Sequence, residues 1–125
     1  MSSLETPLHK VEGLGSAHSG VKHFWRQRVS AVALIPLTVW FAISALGLVG
    51  AHEASVLYFL ADPLNAVLMG TFVLISLYHM VLGLQEVITD YVSHEGLKLV
   101  LMVLNHGFAF MVAAACVVAL LRIAI

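Results

Sequence analysis

The residues most able to do chemistry in this chain fall at the end of one apolar segment, in LYHMVLGLQEVITDYVSHEG, positions 77–96. An ionisable side chain at hydrocarbon depth costs about 3 kcal/mol, so His79 in such a setting points to a function. At about 100° per residue, Gly83, Glu86 and Asp90 lie within about 40° of His79, and Phe72 and Ser76 continue the same helical stripe in the other direction. An imidazole followed one turn later by a glycine on the same face suits an axial ligand to haem, with no side chain where the flat ring must lie. Zinc would need several protein ligands, whereas a haem can draw one from each of two helices, so a single histidine suffices. The alternative is structural: a histidine that hydrogen-bonds between helices, and a glycine that lets them approach.

Other groups surround this stripe. His106, in NHGF, is a second candidate ligand, although Asn105 beside it offers a local partner and favours a polar contact between helices. Asp90 and Tyr91 close the segment at the membrane rim. There the phenol can donate to a carbonyl of a lipid-soluble quinone, or serve only as an aromatic anchor, with Asp90 a solvated helix end. In GVKHFWRQRVSAVAL, residues 20–34, Trp25, Arg26 and Arg28 fit an interfacial anchor. An arginine at this depth can also pair with haem propionates, and Arg28, nearest the apolar run, is the one expected to do so. His9, His18, His23, His52 and His94 fall in tails or loops, where solvation is the default.

These residues must be positioned by membrane helices. Of the 125 residues, 61% are hydrophobic and 10% charged, against about a quarter charged in soluble domains. Apolar runs cover about 29–50, 64–88 and 97–122, each near or above the roughly 20 residues that cross about 30 Å of hydrocarbon. An all-α membrane protein with three transmembrane helices is predicted, with a kink at Pro36 in the first. Lys10, Lys22, Arg26 and Arg28 precede the first span and Lys98 begins the third, while the connection AHEASVLYFLADP has no lysine or arginine. The positive-inside rule therefore puts the N-terminus in the cytoplasm and the C-terminus in the periplasm. Residues 1–28 read as a polar arm without the features of a signal or transit peptide, and 29–125 as the membrane anchor. The single Cys116, among alanines and valines, reads as a small hydrophobe, and a net charge of −1 gives no footprint for nucleic acid. Three helices make a thin bundle, so partner subunits are expected.

The string HMVLGLQEVITDYV, His79 to Val92, resembles the H-x-x-x-G-x-x-x-V-x-x-D-Y-V signature of the smaller hydrophobic anchor subunits of succinate dehydrogenase, respiratory complex II, and the arm is similar to alphaproteobacterial versions. The resemblance implies a bacterial inner-membrane subunit of a succinate:ubiquinone oxidoreductase, in preference to a mitochondrial one. It would assemble with a flavoprotein, an iron-sulfur subunit and a larger cytochrome b anchor, and share haem b with that anchor. It further implies His79 as an axial haem ligand, Tyr91 as a hydrogen-bond donor to ubiquinone, Asp90 in the polar surroundings of the quinone site, and Arg28 at a haem propionate. It assigns nothing to His106. Two other readings remain: the anchor of a fumarate reductase, and a non-redox structural or proton-conducting subunit with His79 and Glu86 as a polar relay.

Overall fold

The structure, a computed structural model, describes residues 6–7 and 18–125. Within residues 18–125 the helices follow in the order α1 (His18–Gly47), α2 (Glu53–Ala61), α3 (Pro63–Tyr91) and α4 (Glu95–Ala124). Three of them, over Gly20–Gly47, Pro63–Tyr91 and Glu95–Ala124, are long and apolar enough to cross a membrane, as composition predicts. At about 1.5 Å per residue, α1, α3 and α4 are each roughly 44 Å long, so their ends extend beyond the hydrocarbon. Most of the predicted polar arm lies outside the described residues, but its last part is helical, because α1 reaches back from Val29 to His18. The helix also continues unbroken past Pro36.

Local chemistry fixes the boundaries. Gly50 takes φ 77° in the turn after α1, a left-handed conformation that glycine adopts without a Cβ penalty. Asp62 ends α2 and caps α3, its Oδ2 accepting from the Asn65 amide at 3.1 Å, with Pro63 in the first turn where its missing N–H costs nothing. His94 caps α4 in the same way, its Nδ1 accepting from the Leu97 amide at 3.1 Å. The connection 51–63, expected as a loop, holds the nine-residue helix α2, joined to α1 by the stacked rings of Trp40 and Phe59.

The central element is α3. Helix α1 packs along one side of it and α4 along the other, and among the described residues α1 and α4 do not pack against each other. Only 6% of the most apolar part of each span is buried within the chain. Val29, Val32, Ile35 and Val39 on α1, and Val103, Leu104, Phe108 and Met111 on α4, are exposed. Apolar surface on that scale is covered in a membrane by lipid or by partner helices. On the α4 side, Gly70 lets the Leu120 side chain approach to within 3.5 Å of where a Cβ would sit. There too Asn105, 6% exposed, donates from Nδ2 to the Val81 carbonyl at 3.1 Å. The polar interhelical contact expected of His106 is thus made by its neighbour. His106 turns back to its own helix, with Nδ1 2.8 Å from the Met102 carbonyl.

Candidate functional site

The predicted stripe on α3 forms one face, and α1 covers it. Phe72 stacks on Phe41 with ring centroids 4.8 Å apart. His79 Nδ1 lies 2.8 Å from Ser30 Oγ, and Glu86 Oε1 lies 3.0 Å from His23 Nε2. The last contact is off the hydrogen-bond direction, so it is one of charge when His23 is protonated. Gly83 faces Gln27, whose Nε2 is 3.5 Å from the position of an added Cβ. The space expected over Gly83 for a flat ring is therefore taken by a side chain of α1, and the glycine serves helix approach. Gly83→Ala is expected to leave the fold intact, since its methyl would make an ordinary contact with the end of a flexible chain. Gly83→Leu should force α1 off α3 at a cost of about 1–3 kcal/mol, read as a lower thermal midpoint in detergent.

On α1 the partners His23, Gln27 and Ser30 recur at i, i+4 and i+7, the spacing of one helix face. The contacts match them residue by residue to Glu86, Gly83 and His79, as two antiparallel helices require. This face was legible from the same 100° arithmetic that found the α3 stripe. The default of solvation for His23, and the anchor residues Trp25, Arg26 and Arg28 around Gln27 and Ser30, conceal it in the sequence.

His79 itself is half-buried. Ser30 is 5% exposed, and its hydroxyl also lies 2.9 Å from the Gln27 carbonyl, which can only accept. A hydroxyl has one proton; once it is given to Gln27, Ser30 can only accept from His79, so Nδ1 carries the hydrogen. That tautomer leaves the Nε2 lone pair free, and among the described residues nothing bonds it. A neutral imidazole oriented through one nitrogen, with the other available, is the donor that a haem iron takes. The residues present fit that group at His79.

The remaining candidates sit apart from one another. Asp90 lines a polar cleft of about 360 Å³ with His23, Glu86 and Thr89 at the end where α1 begins and α3 ends. Tyr91, 84% exposed, is not part of that lining. Arg28 lies about 160° around α1 from Ser30, turned away from α3, with its guanidinium 5.0 Å over the Phe24 ring. Arg26, the residue passed over, faces the groove between α1 and α4 across α3, together with Tyr78, Gln85 and His106. Along α3, Asp90 is about 16 Å from His79, so the imidazole sits near the middle of that helix and the acid at its end.

Residues 2–121 match the succinate dehydrogenase/fumarate reductase transmembrane subunit family. The succinate dehydrogenase hydrophobic membrane anchor subunit of Paracoccus denitrificans is 36% identical over 117 residues, covering 94% of this chain and 90% of that protein. The subunit of the same name from Rickettsia bellii (strain RML369-C) is 32% identical over 110 residues, 88% of each chain. That from Rickettsia conorii (strain ATCC VR-613 / Malish 7) is 36% identical over 112 residues, 89% of each. No solved structure matches.

Proposed function

Because the chain belongs to the succinate dehydrogenase/fumarate reductase transmembrane subunit family, we propose that it anchors a succinate:ubiquinone oxidoreductase in the bacterial inner membrane, holds haem b through His79 and borders the site where ubiquinone is reduced. The observation that carries this reading is the state of His79, a mid-bilayer imidazole whose Nδ1 is tied to Ser30 and whose Nε2 is free. The relatives' names favour this direction: each relative named above is called an anchor subunit of succinate dehydrogenase. Succinate oxidation itself belongs to a flavoprotein partner, with an iron-sulfur subunit carrying electrons to the membrane and a larger cytochrome b anchor giving the second haem ligand.

Each residue then has a part. When bound, haem supplies a reversible one-electron store within the bilayer. His79 holds it from α3, and Ser30 fixes the ring that does so. Arg28, now stacked on Phe24, would have to leave that ring to reach a haem propionate. At the rim Tyr91, exposed and unencumbered by the fold, donates its phenolic hydrogen to a quinone carbonyl, which orients the head group and favours protonation of the oxygen that gains electron density. Asp90, with His23 and Glu86, keeps the neighbouring cleft polar and hydrated, the setting from which protons reach that oxygen.

The N-terminus of α1 and the α3–α4 turn then face the cytoplasm and the end of α4 the periplasm. Cysteine labels at Ser93→Cys and Ile125→Cys should react with a membrane-impermeant reagent from opposite sides of the membrane, and reaction from one side would remove a span. Membranes carrying the assembled complex should reduce ubiquinone with succinate faster than menaquinol reduces fumarate. The reverse preference would assign the chain to a fumarate reductase. Succinate-driven reduction of ubiquinone without any dependence on this chain would leave it a non-redox subunit.

A further inference from the structure

Nothing in the family comparison distinguishes Ser30, yet it is one of the two buried polar side chains among the described residues and the one that touches His79. Its place on α1, seven residues after His23 and three after Gln27, puts it on the face turned to α3. A serine within a helix commonly bonds back to a carbonyl of the preceding turn, and here the acceptor is Gln27, at 2.9 Å. That bond determines the rotamer and uses the only hydroxyl proton. The lone pairs are then aimed across the helix seam, and His79 Nδ1 meets them at 2.8 Å. On the reading of His79 as a haem ligand, we propose that Ser30 is a positioning residue for it, a fixed acceptor that holds the imidazole in the Nδ1–H tautomer and adds to the electron density it offers through Nε2.

The physical consequence is a shift in the iron's redox balance rather than a new contact with iron. An imidazole whose N–H is donated to a neighbour is the more basic ligand, and a more basic ligand favours the ferric state. The chain Nδ1–H to Oγ–H to the Gln27 carbonyl runs in one direction, so each bond polarises the next. Neither group needs a charge, which suits a site near the middle of the bilayer. The backbone carbonyl that ends the chain cannot rotate away, so the arrangement is set as soon as α1 packs on α3.

The test is the haem midpoint potential, with the low-temperature EPR of the ferric haem, in the assembled complex carrying Ser30→Ala or Ser30→Thr. Loss of the acceptor should shift the ferric/ferrous equilibrium on the order of tenfold toward ferrous, a rise of about 59 mV for a one-electron couple. Threonine, which keeps the hydroxyl, should restore the native potential and g-values. Haem loss in Ser30→Ala but not in Ser30→Thr would give the same support, since only the hydroxyl separates them in hydrogen bonding. A native potential and spectrum in Ser30→Ala, or equal changes in both variants, would overturn the proposal. His79→Leu is the control for the underlying reading: if it keeps its haem, the ligand assignment has failed, whereas haem loss there with a silent Ser30→Ala rejects the role of Ser30 alone.

Discussion

Replacing His79 by leucine is expected to lower the haem content of the assembled complex by at least about tenfold. Removing a residue that only orients a metal ligand typically costs 10–100-fold in affinity, so removing the ligand itself should cost no less. Leucine has about the bulk of the imidazole, and α3 needs nothing from His79 for its own helix, so the anchor should still insert. The loss at the α1–α3 seam is one hydrogen bond, that from Nδ1 to Ser30, worth about 1 kcal/mol between membrane helices. Pyridine haemochrome assay of the purified complex gives the haem-to-protein ratio. His106→Leu is the comparison: among the described residues its ring bonds to the Met102 carbonyl of its own helix alone and faces the groove beside Arg26, and its haem content should be native. Native haem in His79→Leu with loss in His106→Leu would transfer the ligand to α4.

The second large effect is expected at Tyr91. Its side chain is 84% exposed, so Tyr91→Phe removes one oxygen without opening a cavity or leaving a buried group unpaired. A neutral hydrogen bond to the ground-state carbonyl alone would cost about 1 kcal/mol, roughly fivefold in rate. A donor aimed at an oxygen that gains negative charge during reduction is worth about a hundredfold or more. Succinate:ubiquinone activity should therefore fall by about 10- to 100-fold, while succinate oxidation by an artificial dye that bypasses the membrane site stays native. Equal loss of both activities would place the defect in assembly and contradict a role at the quinone.

Some of this was legible in the sequence for a physical reason. Polar residues within apolar runs stand out because hydrocarbon penalises them, so three spans and the α3 stripe from Phe72 to Asp90 could be read directly. What covers that stripe could not be read in the same way. Lipid, a partner helix and a helix of the same chain are all apolar, and periodicity does not say which one lies against Gly83. The structure puts Gln27 there. The polar face of α1 was hidden for a different reason: His23, Gln27 and Ser30 lie among lysine, tryptophan and arginines that an interfacial anchor already explains, and the start of α1 at His18 lies in a Gly- and Ser-rich stretch with no apolar run to announce it.

The same uncertainty of facing governed the arginines. Nearness in sequence to the first span favours Arg28 but says nothing of rotation about α1: with Ser30 against α3, Arg28 stacks on Phe24 on the far side and Arg26 lines the groove. At Asn105 and His106 the choice was again one of register. One residue's difference along α4 turns the amide to Val81 and the imidazole to its own backbone. The short helix α2 is not announced in the thirteen residues between two spans: its N-cap, His52, makes no side-chain cap bond, and the capping chemistry of Asp62 and Pro63 marks the start of α3.

The most direct measurement is an experimental density map of the whole membrane complex, resolved well enough to place the ring of His79. The account predicts iron on its Nε2, with Nδ1 still within hydrogen-bond distance of Ser30. A map in which that ring coordinates nothing and lies against acyl chains or a partner's apolar side chains would contradict it.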